Sequence, residues 1–453
     1  MDGATLAQTG LTQALAERAV AVTYDALPDP VRALARQCIL DYYGVSLAAA
    51  DDPLVRILLD EAEEAGGAPQ ASIIGGTARL PVLAAALVNG AMSHALDYDD
   101  VNLAMPGHPT VAILPGLLAL AELRNASGRD VIAAFVAGYE TECRIGMTMR
   151  PGHYGRGFHA TGTIGAFGAA AACAHLLGLD AEATGRALGI VGTQAAGLKS
   201  QFGTMCKPFH AGKAAQNGLL AARLAARGFS SRPDLIECDQ GFAKTHSADF
   251  NPELALGEPP NGFHLYANLF KYHAACYMTH APIECGRQAR EQHNVAADEI
   301  AAMALSVHRG SARICNIQAP GDGLEAKFSL RQTVAMALSG VDTASLGAYS
   351  VATATDPALV RLREQVTLDF RDDCAEAAAE LALTLRDGRV VRTQFDAGIP
   401  NADIAAQGVR LAAKFDALAE PVLGGPRTRE LRAAVKGLDR QGNINELARL
   451  AIA

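Results

Sequence analysis

Two different hydrophobic patterns divide this chain. Up to about residue 265, apolar residues recur at helical spacing in segments such as PDPVRALARQCILDYYGVSLAAA, ARLPVLAAALVNGAMSHALD and AILPGLLALAELRNA. This period is typical of helices that bury one face, and the segments end near Gly, Asn or Ser. Ala and Gly at the contact positions allow helix backbones to approach closely. The pattern predicts a large all-helical domain over residues 1–265.

After about residue 266 the pattern changes to alternation. EIAAMALSVHRG and EQVTLDF alternate apolar and polar residues, as half-buried strands do. AELALTLRDGRVVRTQF contains two such runs around Asp387-Gly388, a dipeptide that favours a type I′ hairpin turn. Residues 266–400 are therefore predicted to form a smaller α+β domain. The tail, 401–453, returns to a helical pattern and either packs on the first domain or completes the second.

Composition narrows the possible functions. Lys and Arg total 39 against 48 Asp and Glu, the net charge is −9, and no long basic run occurs. Nucleic acid is therefore not expected as a partner, because phosphate binding needs clustered Lys and Arg. A small anionic substrate would need a local positive pocket. The nine cysteines are scattered and include no CxxC pair, which predicts a reducing compartment without a disulfide framework or a structural zinc site.

The most apolar tract, ATGTIGAFGAAAACAHLLGL, is long enough to raise the question of a membrane span. It consists mainly of Ala and Gly and contains His175, so a buried helix is the preferred interpretation. The N-terminus carries an early acid and no basic region before a long apolar core, so no secretion signal is expected. We therefore expect a cytoplasmic protein that does not enter a membrane.

Motifs of several large enzyme classes are missing. AGKAA resembles the end of a P-loop, but no glycine precedes it at the required spacing and alanine replaces the Ser or Thr that would hold magnesium. HExxH, GxSxG and GxGxxG do not occur. The sequence therefore gives no support for an NTPase, a zincin, an α/β-hydrolase or a dinucleotide enzyme.

The first of four polar islands is SHALDYDDVNLAMPGHPT, which holds His94, Asp97, Asp99, Asp100 and His108. It starts on an apolar helix and runs into a loop. Acids are disfavoured at a helix C-terminus, so three of them there indicate a function. Solvated acids are the alternative. A calcium-binding loop is a second alternative, although the glycine and the closing glutamate of an EF-hand are absent.

The second and third islands combine cationic and titratable groups with small residues. GRGFHATGT places His159 before a glycine-rich helix, where free backbone N–H groups favour an anion. The alternative is that the His159 side chain only hydrogen-bonds to the backbone at the start of the helix. FGTMCKPFHAGKAAQNG contains Lys207 and His210. Lys207 precedes Pro208, which predicts an extended loop there and a helix from about Ala211. An exposed lysine without a role is the alternative.

The fourth island, KYHAACYMTHAPIE, contains Lys271, Tyr272, His273 and His280 at the predicted domain junction, where pockets are common. A satisfied core histidine is the alternative for His280. Together, the histidines and lysines of the islands are suited to moving protons beside carboxylates. Their positive charge would stabilise an enolate-like species next to a carboxylate. This set requires no external cofactor. A histidine-based metal site is the competing interpretation, although no two histidines have close ligand spacing.

These islands, in this order, resemble the MmgE/PrpD family, which includes 2-methylcitrate dehydratases, cis-aconitate decarboxylases and iminodisuccinate epimerases. The resemblance runs from about residue 10 to about 450 and is carried by HALDYDD…GHPT, GYETECRIG, GFHATGTIGAFGAAAA, GTMCKPFHAGKAAQNG, YHAACYMTHAPIE and EAKFSL. It implies a mainly α subunit, with 1–265 and 401–453 in the all-helical domain and 266–400 as an α+β lid. It also implies a homodimer and a site at the domain interface without cofactor or metal.

The resemblance also implies roles for individual residues. The catalytic positions would be Asp97, His108, His159, Lys207 and His280. Asp97 would orient a neighbour or bind substrate, His159 and Lys207 would bind a carboxylate or transfer a proton, and His280 would act as acid or base. The substrate-binding positions would be His210, Lys271, Tyr272 and Gln332.

The implied activity is that of a lyase, a dehydratase or decarboxylase. It would transfer a proton α to a carboxylate of a small di- or tricarboxylic acid. Two positions depart from the family pattern: Val101 in DYDDV stands where relatives carry threonine, and Gln332 in FSLRQ stands where they carry tyrosine. The loss of two hydroxyls favours an epimerase or isomerase as the alternative, because proton exchange needs no leaving group. A non-catalytic carboxylate-binding homologue is a third possibility.

Overall fold

The computed structural model describes residues 10–453, and these divide into two units. The first comprises the chain up to Asn268 together with Ala402–Ala453, and the second is Leu269–Asn401. The first unit is almost entirely helical, whereas the second combines helices with a sheet. The predicted fold class, a mainly α protein with a large helical domain and a smaller α+β domain, is confirmed. The first nine residues of the N-terminal segment examined for a secretion signal lie outside the described residues.

The part of the first unit that precedes Asn268 contains a succession of helices and one short antiparallel strand pair. In chain order these elements are α1 (Leu11–Val20), α2 (Asp29–Ala48), α3 (Pro53–Ala65), β1 (Ala71–Ser72), β2 (Arg79–Leu80), α4 (Val82–His94), α5 (Pro109–Arg124), α6 (Gly128–Thr148), α7 (Gly152–Gly155), α8 (Ala160–Leu176), α9 (Ala181–Gly192), α10 (Cys206–Ala225), α11 (Phe242–His246) and α12 (Glu253–Leu256).

Small residues bring the central helices of this unit together. Every residue of α8 from Ala160 to Ala174 is buried, which agrees with the predicted buried helix. Gly90 of α4 faces Gly212 of α10 so closely that a Cβ at position 90 would lie 2.6 Å from the Gly212 Cα. Close backbone approach therefore replaces bulky side chains as the means of filling this core. Within the described chain, no helix is both long and apolar enough to cross a membrane.

The second unit packs helices on a four-stranded sheet. Its elements are α13 (His280–Gln292), β3 (Ile300–His308), α14 (Gly323–Ala326), α15 (Leu330–Leu338), α16 (Val351–Thr355), α17 (Pro357–Glu364), β4 (Val366–Arg371), β5 (Ala378–Leu385) and β6 (Val390–Asp396). The strand order is β4-β3-β5-β6, with β3 and β4 parallel and the other pairs antiparallel. Alternate residues of β5 are buried, which is the two-residue period that predicted the strand.

The β5–β6 hairpin forms where the sequence predicts it, but its turn is not of type I′. A type I′ turn needs positive φ at both central residues, and only Gly388, at +89°, has it. The amide of Gly388 donates to the Leu385 carbonyl, and the Leu385 amide donates to the Arg389 carbonyl. The loop therefore has three residues, with glycine at its left-handed position. Asp387 instead accepts hydrogen bonds from the backbone and side chain of Arg389.

The helical tail belongs to the first unit. Its helices are α18 (Ile404–Leu423), α19 (Gly425–Lys436) and α20 (Asn445–Leu450). On α18, the buried ammonium of Lys414 lies 2.6 Å from a carboxylate oxygen of Asp41 on α2 and donates to the Tyr98 carbonyl at 2.8 Å. Removing one partner of such a buried pair leaves an uncompensated charge, so the contact holds the tail against α2. All nine cysteines, which lie within the described residues, are free thiols.

Candidate active site

Four helix ends meet within the first unit. Helix α5 begins after His108, α8 begins after His159, Lys207 is in the first turn of α10, and α4 ends at His94. The His108 amide donates to the Thr161 hydroxyl at 3.0 Å, which joins the start of α5 to the start of α8. Helix N-termini carry partial positive charge and unsatisfied N–H groups. Three of them together create a region that favours an anion.

Lys207 and Asp97 form the charged pair of this region. The Lys207 Nζ lies 2.7 Å from Asp97 Oδ1, and the Nε2 of His108 lies 3.6 Å from the same oxygen. Asp97 has a left-handed backbone, with φ of +51°, which is uncommon outside glycine but tolerated by aspartate. Its side chain is 31% exposed, whereas that of Lys207 is only 14% exposed. The pair is thus open to solvent mainly on the aspartate side.

The local structure around Lys207 corrects one sequence-based expectation. Lys207 was expected in an extended loop because it precedes Pro208, with the helix starting near Ala211. Instead α10 begins at Cys206, so Lys207 and Pro208 both lie in its first turn. Proline is tolerated there because the first N–H groups of a helix have no acceptor within the helix. This earlier start is what brings the lysine to the Asp97 carboxylate.

Two histidines flank the carboxylate of Asp99. The Nδ1 of His94 lies 3.0 and 2.9 Å from its two oxygens, and the Nδ1 of His108 lies 3.0 Å from Oδ2. Burial alone would raise the pKa of Asp99, but its contacts with His108 and His94 hold that pKa well below its usual range. Burial lowers the pKa of His94 to about 4, so this imidazole is neutral near pH 7.

His159 and His210 form a second imidazole pair. Their Nδ1 atoms are 3.0 Å apart, so one ring donates a hydrogen and the other accepts it. Burial lowers the pKa of His159 well below its usual value, and the nearby His94 and Lys207 lower it further. The His159 ring lies 5.8 Å from that of His94, and Phe202 packs edge-on against it. The site therefore holds a neutral imidazole that is able to accept a proton.

The structure thus brings five of the predicted residues into one connected cluster: Asp97, His108, His159, Lys207 and His210. We call this set, together with His94 and Asp99, the imidazole cluster. His94 and Asp99 belong to the first polar island, but the sequence predicts no individual role for either. Their place in that island was the only signal, because nothing local shows that the two histidines share one carboxylate.

The other four predicted residues lie in the second unit. His280 begins α13 and is buried, with its ring 5.0 Å from His273. Burial lowers the pKa of His280 well below its usual value. Lys271 is buried and Tyr272 is half-buried.

Gln332 and Val101 are the two positions that depart from the family pattern. Gln332 is fully buried and lies in the second unit. Its side chain donates to the Thr353 carbonyl at 3.1 Å and accepts from Arg363 at 3.0 Å. Both polar atoms of its amide are therefore engaged inside the second unit, which favours a structural role. Val101 is buried in the first unit and offers no polar atom.

The cluster also offers atoms that a metal ion accepts. His94, Asp97, Asp99 and His108 each present a nitrogen or oxygen, and these atoms lie within 4.8 Å of one another. The tertiary structure therefore supplies a donor set that sequence spacing did not show. However, the Lys207 ammonium already lies 2.7 Å from Asp97 Oδ1. A divalent cation would be repelled by this ammonium, so the charges favour proton transfer over metal binding.

Comparison with known proteins confirms the resemblance to the MmgE/PrpD family. Residues 13–255 match the sequence model of the MmgE/PrpD N-terminal domain, and residues 273–440 match that of the MmgE/PrpD C-terminal domain. The chain is 30% identical to a cis-aconitate decarboxylase of Aspergillus terreus over 296 residues, which is 61% of this chain and 60% of that protein. It is 28% identical to human cis-aconitate decarboxylase over 378 residues, which is 80% of this chain and 77% of the human protein.

Proposed function

This chain belongs to the MmgE/PrpD family, and on that premise we propose that it is a lyase of the dehydratase or decarboxylase type. Its substrate is a small di- or tricarboxylic acid, and it works by proton transfer α to a carboxylate without a cofactor or metal. The imidazole cluster carries this proposal, because it joins Lys207 to four histidines where three helix N-termini meet. Relatives named cis-aconitate decarboxylase make cis-aconitate the first acid to test.

Binding of the acid depends on local charge. The chain as a whole carries −9, which repels an anionic substrate. Against this, a carboxylate about 4 Å from the Lys207 ammonium gains about 4 kcal/mol at an effective dielectric constant of about 20. The helix N-termini add to this attraction. Lys207 therefore binds a substrate carboxylate, and Asp97 orients the lysine through their 2.7 Å contact.

Proton transfer falls to the imidazoles of His159 and His108. His159 is neutral because burial and nearby positive charge lower its pKa. His108 presents Nε2 toward the Asp97–Lys207 pair. In a decarboxylation, carbon dioxide leaves and the electron pair of the broken carbon–carbon bond stays on the substrate carbon, which then takes a proton from one of these rings in its protonated form. In a dehydration, one ring removes the α-proton, and a second ring in its protonated form gives a proton to the hydroxyl, which leaves as water. Lys207 stabilises the negative charge that develops in either case.

A second candidate, an epimerase or isomerase of a related dicarboxylate, is favoured by two side chains. Val101 is buried and apolar, and the Gln332 amide is bonded to Arg363 and Thr353. Neither supplies a hydroxyl proton to a leaving group. Proton exchange at the α-carbon does not need one.

The remaining roles are proposed on the family resemblance. His280 acts as acid or base, and His210, Lys271 and Tyr272 contact the substrate. We also propose a homodimer in the cytoplasm, with no nucleic-acid partner. Light scattering of the purified protein measures its mass, and a monomeric mass at working concentration would contradict the dimer.

The test is proton NMR of the purified enzyme in D₂O with cis-aconitate, citrate, 2-methylcitrate and amino- or imino-substituted succinates. Loss of carbon dioxide or water supports the lyase. Deuterium exchange with an intact carbon skeleton supports the epimerase instead. Thermal stabilisation by these acids without any turnover would mean a non-catalytic binding protein.

Variants tie the reaction to the imidazole cluster. Lys207→Ala and His159→Ala are expected to lower turnover by orders of magnitude while the fold is kept. The matched control is Lys213→Ala, on the same helix, whose ammonium contacts Gln216 rather than the cluster. Near-normal turnover in both cluster variants would refute the assignment.

A further inference from the structure

Asp99 has no role in the proposed function, yet its contacts are the most constrained in the imidazole cluster. It is 1% exposed and lies between two imidazoles, with His94 reaching both carboxylate oxygens and His108 reaching one. The neighbouring Asp100 is equally buried but bonds to the Thr110 hydroxyl instead. Asp99 is therefore the carboxylate that connects two histidines of the site to each other.

A carboxylate determines which nitrogen of a facing imidazole carries the hydrogen. An ionised carboxylate only accepts hydrogen bonds, so the nitrogen that faces it must be the N–H. Both His94 and His108 place Nδ1 within 3.0 Å of an Asp99 oxygen, in a hydrogen bond for His94 and in an ion-pair contact for His108. A neutral imidazole has only one N–H, so Nε2 then keeps its lone pair. In His108, Nε2 is the nitrogen 3.6 Å from Asp97 Oδ1, next to Lys207.

His94 accounts for the fixed orientation of Asp99. It is the last residue of α4, is 1% exposed, and spans both oxygens of the carboxylate at 3.0 and 2.9 Å. A carboxylate held at both oxygens by a rigid helix end has little freedom to rotate. Its Oδ2 thus lies 3.0 Å from the Nδ1 of His108 before any substrate arrives. Such support of a reacting imidazole by a carboxylate is a general way to fix its tautomer and ring orientation.

We propose that Asp99 is a positioning residue that holds His108 in the Nδ1–H tautomer, with His94 as the clamp that fixes Asp99. The proton-transferring nitrogen of His108, Nε2, is thereby held next to the substrate-binding lysine. This inference rests on the proposed function only in that His108 transfers the proton. The tautomer itself is a property of the free protein and is measured without substrate.

The charged and titratable groups around His108 come from several elements. Asp97 and Asp99 lie on its own segment, His94 is at the end of α4, His159 precedes α8, and Lys207 comes from α10. Of these groups, Asp99 is the one within hydrogen-bond distance of Nδ1. Removing its charge is therefore the most direct way to change the tautomer.

The decisive variant is Asp99→Asn, which keeps the size of the side chain and removes its charge. Its amide offers a donor as well as an acceptor, so the Nδ1–H tautomer of His108 is no longer enforced. The readout is the ¹⁵N–¹H long-range spectrum of protein labelled at histidine, with His108 assigned from a His108→Gln sample. We expect the His108 signals to leave the Nδ1–H pattern. With substrate, kcat falls about 10- to 100-fold, the range for losing a supporting partner of an imidazole, and KM changes little.

Asp100→Asn is the matched control, because it removes an equally buried carboxyl one residue away. Burial raises the pKa of Asp100 to about 7, and the residue contacts Thr110 rather than an imidazole. We expect the histidine signals of this variant to match those of the parent protein. The proposal is overturned if Asp99→Asn leaves the His108 tautomer unchanged, or if Asp100→Asn changes it equally.

A second pair of variants keeps the proposal testable if Asp99→Asn does not fold. In His94→Asn the side-chain amide nitrogen replaces Nδ1 as a donor to Asp99, whereas His94→Leu supplies none. We expect the Asn variant to retain the His108 tautomer and the Leu variant to lose it. Equal spectra in both would overturn the clamp. If the enzyme turns over none of the acids tested, the proposed function fails, while the spectra still decide the role of Asp99.

Discussion

Removing the Lys207 charge is the sharpest test of how the site attracts its substrate. In Lys207→Met the side chain keeps its length and apolar stem but loses the ammonium. A carboxylate about 4 Å from that ammonium gains about 4 kcal/mol at an effective dielectric constant of about 20. The Lys207 side chain is only 14% exposed, so solvent screening removes a minor part of this energy. Each 1.36 kcal/mol is a factor of ten, so kcat/KM falls by about 10²- to 10³-fold.

The assay separates binding from chemistry. Progress of the reaction with cis-aconitate is followed by proton NMR, and calorimetry measures the affinity for propane-1,2,3-tricarboxylate, which lacks the reacting double bond. If Lys207 binds the carboxylate in the ground state, the analogue loses affinity by a factor similar to the loss in kcat/KM. If it acts only on developing charge, kcat falls and the affinity is kept.

Asp97 has to be controlled for, because Lys207→Met also leaves its carboxylate without the ammonium at 2.7 Å. The double variant Lys207→Met with Asp97→Asn removes both charges. The double variant recovers part of the lost kcat/KM only if the unpaired Asp97 carboxylate repels the substrate in Lys207→Met. Lys213→Met, on the same helix, is the control for the loss of a lysine as such. A kcat/KM for Lys207→Met within about threefold of the parent would refute the reasoning, since it would mean that less than about 1 kcal/mol depends on this charge.

Three further predictions concern stability and metal binding. Glu142 is fully buried, has no hydrogen-bond partner within residues 10–453, and has a pKa raised well above its usual value by burial. In the unfolded chain the Glu142 carboxyl ionises above about pH 4.5, whereas in the folded chain it stays protonated. The free energy of unfolding therefore falls as pH rises above about 4.5. Glu142→Gln therefore raises the melting temperature more at pH 8 than at pH 5, and an equal shift at both would contradict this. Gly90→Ala places a Cβ 2.6 Å from the Gly212 Cα and lowers the free energy of unfolding, measured in urea, by about 1–3 kcal/mol. Gly76→Ala is the control, because a Cβ at position 76 would meet no atom within 4 Å. Dialysis against a chelator leaves activity unchanged, because the Lys207 ammonium already occupies the cationic position at Asp97. Activity that is lost on dialysis and restored only by added metal would show that His94, Asp97, Asp99 and His108 bind an ion.

Local patterns were sufficient for the secondary structure of both units. The two-residue period of AELALTLRDGRVVRTQF predicts β5 and β6, since strand side chains alternate between the two faces of the sheet. The turn between them was harder to predict, because Asp-Gly suits both a two-residue and a three-residue loop. The pairing of Thr384 with Val390 selects the latter. The start of α10 was missed for a similar reason: the bias of the residue before Pro208 is weak, and helix packing overrides it.

The sequence by itself determined the polar islands, the order in which they occur, and the small-residue helices that carry them, because each of these depends on spacing within a few turns. The tertiary structure alone decided which islands meet. Lys207 reaches Asp97 across 110 positions and His159 reaches His210 across 51, and no periodicity relates residues so far apart. The joining of His94 and His108 to one carboxylate was decided in the same way, since it depends on where α4 ends and α5 begins in space. Close helix packing allowed by residues such as Gly90 and Gly212 produces that convergence.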